Sequence, residues 1–369
     1  MPGMLSAVLP RGGQEEEALD VLRLVRSRRV GATTFHRLRA EHGSCRAALA
    51  ELPAIARAAG MSDYTPCPEG VARAELAAGH RAGGRLLCHG GPDYPEALSE
   101  FADAPPVLWA LGDRTLLHRP AIAVVGARSA SSLGQRMARR LAADLGEAGL
   151  VVVSGLARGI DAAAHEAALT TGTIAVQAGG IDVIYPAENA ALARQIAETG
   201  LRLAELPPGF APRAQHFPQR NRIIAGLAQA VLVVEAATRS GSIGTARIAL
   251  DYGREVLAVP GHPLDPRAGG CNALLRDGAV LVRDAADVAE HLGLDARPDP
   301  LPPLPEAPPP AQAPDLAGRI LAALGTAPVQ EEDLLRDLGT DASSFACALV
   351  PLEIEGLVSR RPGGYLCRI

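Results

Sequence analysis

Residues 123–134 read A-V-V-G-A-R-S-A-S-S-L-G: the end of an apolar run, a turn of small residues, then a helical pattern. A dinucleotide-binding fold places G-x-G-x-x-G at such a point, and its second glycine lets the backbone approach a pyrophosphate. Here Gly126 fills the first position, but Arg128 fills the second. An arginine occupies that space with a planar cationic fork. The loop therefore departs from the dinucleotide fingerprint, and its ligand has to be read together with the loops around it.

Outward from this turn the pattern repeats. Apolar runs at 122–125, 150–153, 173–176, 231–234 and 256–259 alternate with Ala-rich helical stretches. Continuous β-branched runs followed by glycine-containing loops and helices predict a parallel sheet covered on both faces. The fold class is α/β, an extended Rossmann-like doubly wound sheet. Residues 15–60 show helical periodicity, and a small N-terminal helical (SAM/HhH-like) module is predicted over residues 1–80. The Rossmann-like domain spans 81–294, with short strands expected beside it in L-L-C-H-G-G-P-D-Y-P and P-P-V-L-W-A-L-G. Residues 295–314 form a proline-rich spacer. Residues 315–369 read as three short helices and a hairpin turned at Pro362-Gly363-Gly364, the order of a winged helix.

Composition narrows the function. All 36 basic residues are arginine, so no P-loop lysine, Schiff-base lysine or lysine base exists in the chain. Six cysteines without a C-x-x-C pair and nine histidines without H-x-x-x-H predict no metal site, and no cofactor is expected. No apolar run reaches membrane-spanning length, so a soluble, cytoplasmic protein is expected, with no membrane partner. Net charge is −5, which argues against a generally basic surface. Two windows, 114–143 and 206–234, nevertheless contain arginines and no acid. Their placement predicts a local anion site.

Ligands bind a doubly wound sheet at the carboxyl ends of its strands. The loops expected there are Gly126-Ala127-Arg128-Ser129; Ser154 to Asp161, with Gly155, Arg158 and Gly159; residues 179–189; and 238–245, with Ser240, Gly241 and Thr245. The acid-free segment 216–227 adds Arg220, Asn221 and Arg222. Together they predict a ridge of backbone N–H groups and arginines fitted to phosphate, with free helix N-termini adding to the attraction. Asp161 is expected to cap its helix. Arg136 and Arg140, at i and i+4, read equally as solvated surface or as ligands. Aromatic content is 3%, and Tyr185, Phe210 and Phe217 are expected in the core rather than as stacking platforms.

The ordered set G-A-R-S-A-S, S-G-L-A-R-G-I-D-A-A-A-H, G-G-I-D-V-I-Y-P-A-E-N, F-P-Q-R-N-R-I-I-A-G-L, E-A-A-T-R-S-G-S-I-G-T-A, V-P-G-H-P and G-C-N-A-L-L-R-D-G-A resembles the DprA/Smf (DNA-processing protein A) family. The resemblance implies binding of single-stranded DNA without sequence preference and no enzyme activity. It also implies loading of the RecA recombinase onto that DNA in natural transformation, and a homodimer. By position Arg128 matches the family's DNA-contacting arginine, and Gly270–Leu281 its dimer surface, with Asn272, Leu274, Leu275 and Leu281. The chain departs from the family pattern where Ala187 and Glu188 stand in place of a basic residue after Tyr-Pro, and at Gln219. The winged helix is net acidic and is expected to be a protein-contact or regulatory piece. The rival is a nucleotide-binding Rossmann hydrolase of the phosphoribohydrolase type, which S-G-S-I-G-T resembles. Those enzymes place glutamates just after the threonine, whereas here Thr245 is followed by Ala246 and Arg247, and Asp251 is the first acid. A third reading is a nucleotide-sensing regulator with a DNA-binding winged helix.

Overall fold

The computed structural model describes residues 12–294, 315–324, 329–361 and 363–368. It divides into two compact units, Met1–Arg297 and Pro298–Ile369. The proline-rich spacer and Pro362 of the expected hairpin turn lie outside the described residues.

The first unit opens with helices α1 (Gly12–Val25), α2 (Ala32–His42), α3 (Cys45–Ala58) and α4 (Glu69–Arg81). Next come β1 (Arg85–Cys88), α5 (Glu96–Ser99) and β2 (Val107–Gly112). The alternating part follows: β3 (Ala121–Val125), α6 (Ser132–Glu147), β4 (Val151–Ser154), α7 (Ile160–Ala167), β5 (Thr173–Gly180), α8 (Ala190–Thr199) and β6 (Leu201–Leu206). It continues with α9 (His216–Leu227), β7 (Ala230–Val233), α10 (Gly241–Asp251), β8 (Glu255–Ala258), α11 (Gly269–Arg276), β9 (Val280–Leu281) and α12 (Ala285–His291).

One sheet runs β1-β2-β6-β5-β4-β3-β7-β8-β9. The pairs β1–β2 and β2–β6 are antiparallel, and every pair from β6 to β9 is parallel. The strands expected beside the Rossmann-like sheet are therefore part of it. Alternate side chains feed two cores. Ala123, Val125, Val151 and Val153 pack under α9, α10 and α11, while Ile122, Val124 and Val152 pack under α6, α7 and α12. Strands buried on both faces need apolar residues at every position, which explains the continuous runs.

The helical module docks on β2 through a shared core. Trp109 is fully buried among residues of α1–α4. Gly79 must lack a side chain, because a Cβ there would lie 2.1 Å from the indole. The indole N–H donates to Glu75 Oε1 (3.2 Å), and Arg26 donates to both carboxylate oxygens of Glu75 (2.9 Å each). Arg26 also reaches the Glu205 carbonyl on β6. Packing is thus continuous across residues 80 and 81.

The second unit comprises α13 (Leu316–Ala323), β10 (Val329–Gln330), α14 (Glu331–Leu338), α15 (Ala342–Ile354), β11 (Val358–Arg361) and β12 (Tyr365–Arg368). Its sheet runs β10-β12-β11, over a core of Ile320, Leu334, Phe345, Leu349, Leu352, Val358 and Leu366. This is the expected winged-helix order.

Candidate nucleic-acid interface

Chain order in the sheet reverses at β3, whose neighbours are β4 and β7. The loops leaving β3 and β7 therefore diverge, and the crevice of a doubly wound fold opens between them. Loop 126–131 sits there. Gly126 must be glycine, since a Cβ would meet Ile160 at 2.5 Å and the Glu235 carbonyl at 2.9 Å. Gly159, at φ +78°, would put a Cβ 2.3 Å from the Ala127 carbonyl. These contacts press the loops after β3 and β4 together.

Along the carboxyl edge, in strand order from β6 to β7, stand Arg213, Tyr185, Arg158, Arg128 and Arg239, all exposed. Arg128, Arg213 and Arg239 have no ion pair among the described residues, and Arg158 lies 3.6 Å from Glu188. Arg128 holds its guanidinium 4.7 Å from the centre of the Phe217 ring. Tyr185 and Phe217 face each other at 5.8 Å. Arg128, Gly155, Ala157, Arg158, Tyr185, Pro186 and Phe217 line one cleft. Tyr185 is 51% exposed, so the expectation that it lies in the core is corrected. A tyrosine needs only its hydroxyl solvated, but here much of the ring is open as well. Phe210 is 37% exposed, beside Arg213.

Other expected site residues are placed elsewhere. Arg220 is buried and donates to the carbonyls of Gly155 (2.6 Å) and Val176 (2.8 Å). Burial lowers its pKa to about 10, partly offset by the Asp161 charge, so it stays cationic. It lies one layer beneath the cleft floor, and a Cβ on Gly155 would meet its guanidinium at 2.0 Å. Arg222 is tied to the Asp103 carbonyl and the Glu205 carboxylate. Neither arginine presents a fork to solvent, and the expectation that they stand free on the ridge is corrected. Asn221 is spent on Arg220 Nε and the Gly241 carbonyl. Ser154 is buried with its Oγ donating to the Val124 carbonyl, and Thr245 is buried in α10. Ser240 caps α10, while Ser129 and Gly241 are exposed. Arg140 pairs with Asp144, whereas Arg136 is exposed without an ion pair among the described residues.

The helix N-termini also depart from expectation. Asp161 is not the N-cap of α7, a position held by Gly159. Its buried carboxylate instead accepts from the N–H groups of Gly155 (3.2 Å) and Ala157 (3.4 Å) in the preceding loop. Burial raises its pKa, opposed by Arg220. At α6 the Glu235 carboxylate accepts from the Ser131 N–H (2.9 Å) and Oγ (2.5 Å). These N–H groups are thus answered internally. Those of Arg128, Ser129 and Arg158 make no hydrogen bond among the described residues.

The loop after β4 is held in an uncommon shape. Leu156 has φ +56°, a left-handed value that non-glycine residues seldom adopt. Its N–H donates to His165 Nε2 (3.3 Å), and its carbonyl accepts from Asn189 Nδ2 (2.9 Å). His165 is completely buried, and burial, seconded by Arg220, lowers its pKa to about 3. The neutral ring accepts at Nε2, so Nδ1 carries the proton toward Thr173 Oγ1 (2.7 Å).

Comparison with known proteins decides the family. The model of DNA recombination-mediator protein A matches residues 85–293. Flanking matches are a DprA-like N-terminal HHH domain at 15–78 and a DprA winged helix domain at 304–364. The chain belongs to the DprA/Smf family. Protein Smf of Escherichia coli is 39% identical over 285 residues, 74% of this chain and 74% of that protein. DNA processing protein DprA of Streptococcus pneumoniae is 48% identical over 197 residues, covering 53% of this chain and 70% of that one. Among solved structures, DNA processing protein A from Streptococcus pneumoniae superposes with a TM-score of 0.56 at 43% identity, over 59% of this chain and 77% of that one. DNA processing protein A from Helicobacter pylori, whose single-stranded DNA binding mode has been studied structurally, gives 0.53 at 30% identity, over 58% and 98%. Among the described residues of this chain no helix is long and apolar enough to cross a membrane, and no cluster of potential metal ligands is present.

Arg213, Arg239, Tyr185 and Phe217 extend the site beyond the residues expected from sequence. Arg213 carries a legible signal, standing in the acid-free window 206–234, and Arg239 stands in the Gly/Ser-rich segment 238–245. Nothing local distinguishes an exposed tyrosine from a buried one.

Proposed function

We propose that this protein binds single-stranded DNA without sequence preference along the carboxyl edge of its sheet and loads RecA onto the bound strand. The observation that carries the reading is the exposed row Arg213, Arg158, Arg128 and Arg239, spread over adjacent strands. Phosphates of an extended strand are matched by a line of cations rather than by one pocket. The cleft formed by Arg128, Tyr185 and Phe217 offers a base an aromatic surface. Base–aromatic stacking contributes about 1–3 kcal/mol and tolerates any sequence. Buried Arg220 adds positive potential from below without touching the strand.

The two-fold assembly of this reading uses the far edge of the sheet. There β9 is the last strand, Leu281 is 48% exposed, and Leu274 and Leu275 are only partly buried. Asn272 is tied to Gly261 through both side-chain atoms, so it would shape that surface rather than bind across it. The role is a recombination mediator of transformation rather than an enzyme. A phosphoribohydrolase needs acids after Thr245, but Asp251 lies at the exposed C-terminal end of α10.

The test is fluorescence anisotropy of a labelled oligo-dT strand over a salt series, with wild type and Arg128→Glu. Charge reversal should weaken binding at least roughly tenfold and lower the salt slope by about 0.7 or more. Equal affinity and slope in both proteins would remove the proposed site. RecA assembly on the same strand should be stimulated by wild type and not by Arg128→Glu.

A further inference from the structure

Resting on the single-strand reading, we infer that Glu235 is a positioning residue for DNA binding, a built-in anion that takes the phosphate place of a nucleotide fold and holds Arg128 outward. Glu235 stands two residues past the end of β7, on the opposite lip of the crevice from loop 126–131. It grips that loop twice. Its carbonyl accepts from the Ala127 N–H at 2.6 Å, and its carboxylate accepts from the Ser131 N–H and Oγ. Arg128 lies between the two grips. The same carboxylate fills the space over the first turn of α6, where a Cβ on Gly134 would meet Glu235 Oε2 at 2.3 Å.

Helix N-termini at this point of a doubly wound sheet attract anions through their unpaired N–H groups and dipole. Glu235 is 9% exposed and supplies that negative charge from within the chain. A nucleotide phosphate would have to displace it. With 127 and 131 fixed, the intervening residues must bulge away from the sheet, and Arg128 projects into the cleft over Phe217. Holding the guanidinium there before a strand arrives removes part of the ordering cost of binding. Glu235 repels DNA by its sign, so any contribution it makes to affinity has to pass through the loop.

The experiment uses the full chain and the oligo-dT probe, with Glu235→Gln, Arg128→Ala and the double variant, each checked for an unchanged melting temperature. Glu235→Gln keeps the volume and removes the charge. Removing a negative charge near DNA would by itself raise affinity; the prediction is the reverse, a loss of roughly tenfold with the salt slope lowered by about 0.7. In the Arg128→Ala background the same substitution should cost less than about twofold, because the two act as a unit. Should Glu235→Gln misfold, Ser131→Ala cuts the same grip more gently and should give the same pattern. Wild-type affinity and slope in Glu235→Gln, or an equal loss in the Arg128→Ala background, overturn the assignment while leaving the single-strand reading intact. Failure of wild type to bind, or wild-type binding by Arg128→Ala, would bring down the single-strand reading and this one with it.

Discussion

The carboxyl edge of the sheet and the winged helix both offer arginines beside a helix, and they spend them differently. On the sheet, Arg128, Arg213 and Arg239 are exposed and free of ion pairs among the described residues, while the nearby acids Asp161, Asp182 and Glu235 accept hydrogen bonds from the protein's own backbone. In the winged helix the arginines are consumed. Arg360 bridges Glu331 and Glu353, Arg336 pairs with Asp333, and Arg319 and Arg368 donate to the carbonyls of Leu338 and Leu321. Only Arg361 has neither an ion pair nor a side-chain hydrogen bond there among the described residues. On α15, Cys347, Val350 and Ile354 are exposed and carry no charge. A net charge of −5 thus conceals one face whose arginines stand largely unpaired and another whose arginines are mostly occupied. What separates them is which acids are internally occupied.

The largest effect expected on the sheet side concerns its hidden cation. Arg220→Leu removes the nearby positive charge that opposes the desolvation of Asp161 and takes the guanidinium donor from the carbonyls of Gly155 and Val176. A buried acceptor left without its donor costs about 1–3 kcal/mol, and two are affected here, read as a lower urea midpoint. Arg128→Ala should change stability by less than about 1 kcal/mol, although it lies in the same cleft. If the two substitutions destabilised equally, the division between supporting and contacting arginines would fail.

Next in size is the contrast between the two units. Truncation after residue 294 and Arg361→Glu should each leave oligo-dT affinity within about twofold, against at least roughly tenfold for Arg128→Glu. Binding of DNA by an isolated 312–369 fragment at physiological salt would refute the assignment of the winged helix to protein contact or regulation.

A smaller effect follows from His165, which supports Leu156 under the cleft. Its folded-state pKa is lowered to about 3, from 6.5. Between those values the unfolded chain binds a proton that the folded chain refuses, so this contribution to stability is full above pH 6.5 and falls as pH drops toward 3. The slope is at most about 1.4 kcal/mol per pH unit. Asp161, whose pKa is raised by burial, works in the opposite direction, so the measurement is the difference between wild type and His165→Gln across that window. Parallel stability curves for the two proteins would contradict a neutral buried ring.

Much of this was readable in the residues, and the exceptions have physical causes. Strands buried on both faces announce themselves as β-branched runs, which marks β3, β4, β5, β7 and β8. Strand β6, L-R-L-A-E-L, escapes that pattern because Arg202 and Glu205 interrupt it. Arg202 is nevertheless buried, satisfied by Gln177 Oε1 (2.8 Å) and the Ile181 carbonyl (2.6 Å). Arg220 and Arg222 fail the sequence reading for a related reason. Arginine in a Gly- and Ser-rich setting has the same local signature whether it faces phosphate or a backbone carbonyl, and only the tertiary partner decides. Likewise Glu235, at the end of an apolar run, gives no local hint that it reaches Ser131, 104 residues earlier.

The smallest predicted effect is a gain, and it probes the one arginine of the sheet edge that does have a partner. Arg158 and Glu188 lie 3.6 Å apart with side chains 59% and 65% exposed. Such a pair holds its members weakly in water and is screened by salt. A phosphate competing for Arg158 must displace Glu188 and approach its negative charge. Glu188→Gln removes both obstacles without changing shape, so affinity for oligo-dT should rise roughly two- to threefold at low salt, with the advantage shrinking as salt increases. In an Arg158→Ala background the gain should be smaller, since only the general repulsion remains to be relieved. An unchanged affinity in Glu188→Gln would place the strand's path away from Arg158, confining the phosphate row to Arg128 and its neighbours on the β7 side.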